Sequence, residues 1–267
     1  MSSVRLRYLA EIGIPVYALR GGRICTARSA AEPAAPSVAV DPVVETASAR
    51  AAEPVGPIPA AGAGDEPIRT AAVARVAEDP ADAWRTLEAE VRDCTKCALH
   101  RSRRQTVFGV GRRDASLLVI GEAPGEEEDR QGEPFVGPAG RLLNQMLRAI
   151  GLSRDQVYIA NILKCRPPNN RDPRPDEADA CSEYLDRQIA LIGPRVLLAV
   201  GRVPAQRLLG TDQPVGRLRG AVHRHGATGL PLVVTYHPAY LLRTPIAKAK
   251  SWQDLCMLVP LLASSSS

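Results

Sequence analysis

The sequence predicts an α/β domain in which a parallel sheet carries helices on both faces, and three observations predict it. Four short apolar runs, at residues 117–120, 157–163, 196–200 and 232–235, have the length of buried strands. The stretches between them place apolar residues at helical spacing, and strands that alternate with helices make a parallel sheet. The first run ends directly in Gly121-Glu122-Ala123-Pro124-Gly125, a tight turn at the carboxyl edge of the sheet, where open α/β folds bind their ligands.

Taken in order, residues 1–25 form a small element of their own. Tyr8, Leu9 and Ile12 share a helix face, and Pro15 confines a short extended stretch at 14–19 to an edge. Residues 26–82 read as a disordered linker: eight prolines fall between 27 and 80 without one aromatic residue, so nothing there can bury a core. The pattern changes at Trp84. Trp84, Leu87 and Val91 lie on one face of a helix that leads into Cys94, and the folded domain is expected over 83–263. After the strand at 117–120, a helix at 141–150 turns Leu142, Leu143, Met146, Leu147 and Ile150 inward and stops at Gly151. The strand at 157–163 follows. A helix from near Asp176 then lines up Ala178, Cys181, Leu185, Ile189 and Ile192, so that Cys181 faces the core. Strands at 196–200 and 232–235 come next, and a last helix carries Trp252, Leu255 and Val259 before a frayed tail at 264–267. No internal repeat is present.

The composition narrows the class. A chain of 267 residues with 45% hydrophobic content buries a proper core. It has no apolar run near the roughly 20 residues that span a bilayer and no secretory leader, which predicts a soluble cytoplasmic protein with no membrane contact. Six cysteines without export point to metal or redox work rather than disulfides. Residues 83–267 carry 26 Lys and Arg against 19 Asp and Glu, a net of +7, whereas residues 1–82 carry 8 against 10, a net of −2. A basic body meets a polyanion through that body and not through its acidic leader.

Four cysteines stand in two distant pairs, Cys94 with Cys97 and Cys165 with Cys181. A pair two residues apart grips one metal, and only tertiary structure brings the second pair to it. The second pair is too widely spaced for an ordinary zinc ribbon, yet spacing leaves zinc and an iron–sulfur cluster both open, with inert buried thiols as the plain alternative. Cys25 and Cys256 remain as ordinary thiols. Phe135 lies in a Gly/Pro-rich loop, where an aromatic either plugs the core or stacks on an extracted base. His237 follows the last strand at the carboxyl edge, and Asn161 sits inside a strand, where a buried amide must find partners. Each of these alone is more often structural than functional, and the acidic run from Glu126 to Asp129 reads as a solvated helix start.

Assembled in order, Cys94-x2-Cys97, GEAPGEEED at 121–129, EPFVGPAG at 133–140, NILKCRPPNNR at 161–171, Cys181 and HPAYLLR at 237–243 resemble the family 4 uracil-DNA glycosylases. The resemblance runs from about residue 93 to 262 and lacks no motif. It implies a three-layer α/β/α sandwich around a central four-stranded parallel sheet, and a 4Fe-4S cluster on Cys94, Cys97, Cys165 and Cys181. It implies an enzyme that flips uracil out of DNA and hydrolyses its N-glycosidic bond, leaving an abasic site.

Carried over residue by residue, the resemblance has Phe135 stack on uracil, Asn161 pair with its O4 and N3–H edge, and His237 donate to O2 as charge develops there. Gly121, Glu122 and Ala123 form the floor. Ala123 stands where the related family 1 enzymes have an aspartate, which leaves Glu122 and a Glu128/Asn170 pair as helpers for water. Arg166, Arg171 and Arg174 face DNA, Leu241 or Leu242 wedges into the gap left by the base, and Arg243 holds a phosphate. The expected partner is uracil-containing DNA, single- or double-stranded, met by a monomer, with a further protein partner assigned to residues 1–25. Two other classes stay open: an iron–sulfur electron-transfer protein, and a binder of uracil or abasic sites without catalysis.

Overall fold

The computed structural model describes residues 79–263, and the expectations for 1–25, for the linker up to 78 and for 264–267 lie outside the described residues. The first helix, α1 (Pro80–Arg92), begins three residues before the expected boundary at 83. Asp79 accepts the Ala81 N–H at 2.9 Å and Pro80 occupies the first helical position, so the proline read as linker is a helix start. Trp84, Leu87 and Val91 are its buried face, as their spacing predicts.

A two-residue strand β1 (Val110–Gly111) precedes β2 (Leu117–Gly121), and α2 (Glu126–Gln131) and α3 (Pro138–Ala149) lead to β3 (Tyr158–Asn161). Then come α4 (Pro175–Ile192), β4 (Val196–Val200), α5 (Arg202–Leu209), the short α6 (Val215–Leu218), β5 (Val222–Arg224), β6 (Pro231–Thr235), α7 (Pro238–Arg243) and α8 (Lys248–Ala263). The sheet order is β1-β3-β2-β4-β6-β5. The four inner strands are parallel, as expected, and β1 and β5 add antiparallel edges. Both edges escape the sequence because two or three residues cannot show an alternation, and β5 is mostly exposed.

Every residue of β2 and β4 is buried, which is what helices on both faces require. Leu118, Ile120, Leu197 and Ala199 join Trp84, Leu185 and Ile189 on one side, under α1 and α4. Leu117, Val119, Leu198 and Val200 join Leu143, Met146, Leu255 and Leu258 on the other, under α3 and α8. The α4 face holds all five expected residues. Two helices differ in detail: α3 starts at Pro138 and leaves Ile150 as a half-buried cap, with Gly151 at φ +86° beyond it. In α8 the inward face is Ser251, Asp254, Leu255 and Leu258, while Trp252 and Val259 are half-buried.

The inward Asp254 is a fixture between α8 and the strand that leads to His237. It accepts Arg219 Nη2 at 2.8 Å, the Gly220 N–H at 3.2 Å and the Thr235 hydroxyl at 2.9 Å. Burial pushes its carboxyl up and the Arg219 guanidinium opposes the shift, so the ion pair offsets the desolvation of a carboxylate with no exposure.

Candidate active site

The carboxyl ends of the parallel strands converge on a cleft of about 790 Å³. Strand register brings Gly121 of β2 level with Asn161 of β3, and β4 and β6 end beside them in Gly201 and in Tyr236 and His237. Glycine is required at the first of these positions. A Cβ on Gly121 would lie 2.3 Å from Asn161 Oδ1 and 2.6 Å from Phe135 Cζ, so any side chain would drive these two apart. Gly201 takes φ +109°, open to glycine and strained for other residues, and a Cβ there would stand 3.1 Å from His237 Cβ.

Asn161 is 2% exposed, and its Oδ1 has no hydrogen-bond partner. A buried amide oxygen in that state costs about 1–3 kcal/mol until something donates to it. Phe135, beside it, holds φ +55°, a strained conformation for an aromatic residue. Three contacts impose that backbone. Gly140, in the first turn of α3, presses on Phe135, for its Cβ would fall 1.7 Å from the Phe135 carbonyl oxygen. Arg154 donates to the Pro134 and Phe135 carbonyls. Glu128 accepts the N–H groups of Val136 at 2.9 Å, of Gly137 at 3.1 Å and of Gly125 at 3.1 Å, tying the Phe135 loop to the turn after β2.

His237 caps α7. Its Nδ1 accepts the Ala239 N–H at 3.1 Å, which leaves the ring proton on Nε2, and the Phe135 ring centroid is 5.7 Å away. Burial pushes the imidazole pKa down to about 4, Arg243 lowers it further and Glu128 works against both, so the ring is a neutral donor at pH 7. Glu122 is shifted the other way. Burial and then Asp172 raise its carboxyl to about 6 against the pull of Arg202. Perturbed groups of both signs facing one cleft mark a functional site.

Of the expected residues, Glu122, Ala123, Glu128, Phe135, Asn161, Asn170, Arg171, His237 and Arg243 line the cleft, and Gly121 lies under its floor. Three expectations change. Leu241 is 1% exposed and packs in the core, so it cannot leave the protein, whereas Leu242 is 44% exposed. Arg171 makes a two-pronged ion pair with the buried carboxylate of Glu177, at 2.8 and 2.5 Å, so its charge is committed within the protein. Glu128 and Asn170 do not pair with each other: both Glu128 oxygens are taken by backbone N–H groups, and Asn170 Oδ1 accepts Arg166 Nε at 2.7 Å. Arg166 also reaches Glu126 at 3.6 Å, and Arg174 is exposed. Residues that sequence reasoning missed include Asp172, Arg202, Tyr236 and Tyr240, all on the cleft wall. The rule that located His237 would have found Arg202, since it too follows a strand at the carboxyl edge.

The four cysteines come together where α1, the turn after it and the segment past β3 meet the inner face of α4. Cys94 follows α1, Cys97 opens a short turn at Ala98–Arg101, Cys165 lies four residues past β3 and Cys181 is on the inner face of α4. They sense one another electrostatically: Cys97 is affected by Cys94, Cys165 by Cys181 and Cys97, and Cys181 by Cys94 and Cys97. Among the described residues no three His, Cys, Asp or Glu side chains are placed to hold a single metal ion. Three of the sulfurs accept N–H donors, from Arg103 Nη1 to Cys165 at 3.0 Å, from the Lys164 backbone to Cys181 at 3.3 Å and from the Lys96 backbone to Cys94 at 3.5 Å. Burial pushes the Cys165 thiol up to about 11 and raises Cys97 and Cys181. Cationic metal is what turns such thiols into thiolates. Between the cysteines and the cleft, the wholly buried Lys164 donates to the Asn161 carbonyl at 2.9 Å and to Gln188 Oε1 at 2.6 Å.

Comparison with known proteins gives a consistent picture. A family profile described as the uracil DNA glycosylase superfamily matches residues 108–256. The chain is 45% identical over 162 residues to a type-4 uracil-DNA glycosylase of Archaeoglobus fulgidus, covering 58% of this chain and 81% of that one. It is 46% identical over 163 residues to one from Saccharolobus solfataricus, covering 58% and 76%. With one from Thermotoga maritima it shares 44% over 155 residues, covering 57% and 80%.

Proposed function

From the premise that this chain belongs to the uracil DNA glycosylase superfamily, and within it to the type-4 uracil-DNA glycosylases, we propose how its cleft performs that chemistry. The protein is a DNA-repair glycosylase that removes uracil, a hydrolase acting on an N-glycosyl bond. The observation that carries the residue assignment is the orphaned Asn161 Oδ1 beside Phe135 above a floor that admits only glycine. A flipped uracil laid on Phe135 brings its N3–H to that oxygen and its O4 to the amide donor. Cytosine presents the reversed pattern and leaves both amide groups mismatched.

In the reaction the C1′–N1 bond breaks and its electron pair leaves with the base, so negative charge grows over N1 and O2. The Nε2–H of neutral His237 meets that charge as a preorganised donor. The oxygen of a water bonds to C1′ and gives up a proton. We assign Glu122 to support the sugar cation and take that proton, because, of the other carboxylates on the cleft, Glu128 has its oxygens occupied by backbone donors and Asp172 is paired with Arg202. Leu242 fills the space vacated by the base, and Arg243, on the cleft, meets a phosphate.

The donor set of the cysteine site fits a 4Fe-4S cluster on Cys94, Cys97, Cys165 and Cys181. It has four thiols, and N–H groups donate to three of the sulfurs. A cluster would be held by four separate thiols, which need not converge on one point as they would for a single ion. When bound, the cluster supplies a rigid tie and moves no electrons in a hydrolysis. We assign the enzyme to DNA in the cytoplasm, acting as a monomer, and no described helix is long and apolar enough to cross a membrane.

The test is incubation with an oligonucleotide bearing one uracil, followed by alkali, with thymine and cytosine controls. Strand cleavage at uracil alone, without added cofactor, is expected. An electron carrier or a binder that lacks catalysis gives none. Iron and acid-labile sulfide in the purified yellow-brown protein are expected alongside, and one zinc without sulfide would overturn the cluster.

A further inference from the structure

The cleft, about 790 Å³, is larger than one pyrimidine needs. Clefts of roughly 300–1,000 Å³ take drug-sized ligands, and a single pyrimidine is far smaller. Uracil, on the reading above, occupies the end between Phe135, Asn161 and His237. The wall beyond His237 is built from Tyr236 and Tyr240, whose ring centroids are 4.9 Å apart at 36°. Tyr236 is the inner ring: it is half-buried, Arg219 lies 5.9 Å from its centroid, and a Cβ on Gly216 would be 3.8 Å from its hydroxyl. Tyr240 is the outer ring and is 37% exposed. Pro214 and Val215 form the adjoining rim.

A tyrosine braced by a second ring and left open toward a nucleic-acid cleft has the build of a stacking platform, since every base has an apolar face. Its location selects the occupant. Tyr240 lies on α7, the same six-residue helix that follows His237 and carries the exposed Leu242 and Arg243. A strand that delivers one nucleotide to His237 and a phosphate to Arg243 therefore passes over Tyr240.

We propose that Tyr236 and Tyr240 form a second base site, which takes the nucleobase next to the flipped uracil in the same strand by stacking on Tyr240. The inference rests on the uracil reading of the neighbouring pocket. It gives the enzyme a grip on single-stranded DNA that owes nothing to a complementary strand, because stacking needs no base pair.

The experiment measures single-turnover excision from single-stranded oligonucleotides whose uracil is flanked by ordinary bases, or by a baseless tetrahydrofuran spacer on the 5′ or the 3′ side. Wild-type protein is expected to lose about 5- to 150-fold in kcat/KM when the stacked neighbour is removed on one of the two sides, the loss typical of base–aromatic stacking. Tyr240→Ala should lose a similar factor on the ordinary substrate and little more when that spacer is added, while Tyr240→Phe recovers most of the loss. Such non-additivity marks a direct contact. Wild-type protein indifferent to both spacers, or Tyr240→Ala losing the same factor with and without them, overturns the second site and leaves the uracil reading standing. The spacer series needs no variant, so misfolding of Tyr240→Ala cannot decide the matter. Failure to excise uracil from any of these substrates overturns both readings together.

Discussion

Replacing Glu122 by glutamine is expected to make the protein more stable and less active. Burial and Asp172 raise this carboxyl from 4.5 to about 6, so the folded chain holds its proton more tightly than the unfolded one. The sign follows: as pH rises from 4.5 to about 6 the folded state loses stability on account of this group, and above pH 6 it carries the whole penalty. A shift of that size is worth about 2 kcal/mol, and the solvent that reaches the side chain reduces it to about 1–2 kcal/mol. Glutamine keeps the shape and has no charge to desolvate. For a domain of this size, about 1–2 kcal/mol moves the melting temperature by roughly 2–8 °C. Anaerobic melting of the intact protein at a series of pH values reads it out: Glu122→Gln should melt higher at pH 8 and converge with wild type below pH 4.5. The same pair, assayed by single-turnover excision, should differ most at neutral and alkaline pH, since the wild-type rate climbs through about pH 6 as Glu122 ionises. A pH-independent difference in melting, or a variant as active as wild type at pH 8, refutes the role given to this carboxylate.

Other outcomes follow from the same geometry. His237→Ala should slow excision about 100- to 1,000-fold, the usual effect of deleting one preorganised donor, and in Glu122→Gln, which has no carboxylate to titrate near pH 6, the remaining rate should fall as pH approaches 4, where the His237 ring takes a second proton. Gly121→Ala places a methyl group 2.3 Å from Asn161 Oδ1, so titration calorimetry with free uracil should show binding abolished in a protein whose circular dichroism is unchanged. The two leucines of α7 should separate cleanly: Leu241→Ala destabilises the fold by about 2–5 kcal/mol in urea unfolding, while Leu242→Ala leaves stability alone and lowers excision from duplex DNA.

Much of this architecture is legible in the sequence because the signals are periodic or punctuated. Strands buried on both faces read as apolar runs, α4 reads as a stripe of Ala178, Cys181, Leu185, Ile189 and Ile192, and the Gly121 turn and His237 fall where apolar runs stop. What escapes is whatever depends on direction or pairing. Nothing local distinguishes Leu241 from Leu242; only the rotation of a six-residue helix turns one inward and the other outward. Arg171 looks like a free cation until folding sets Glu177 against it, and Glu128 looks catalytic until two loops direct three N–H groups at it. The strained φ of Phe135 is invisible for the same reason, being imposed by Gly140 and Arg154 from a distance. The motifs of the resemblance contain these residues, but they do not carry the contacts that surround each one.

Asp254 gives the site a dependence on the order of synthesis. The ribosome makes β6 and His237 well before α8, yet Thr235, two residues ahead of His237, is bonded by a carboxylate seventeen residues downstream of that histidine. Until α8 has emerged and docked, the last parallel strand lacks both its buried hydrogen-bond partner and the Leu255 and Leu258 packing. A released chain that ends before Asp254 should therefore be unable to excise uracil although it already contains every residue of the cleft. Excision by released chains truncated at graded lengths measures this directly, and activity in chains that end short of Asp254 would show that His237 is held in place without it.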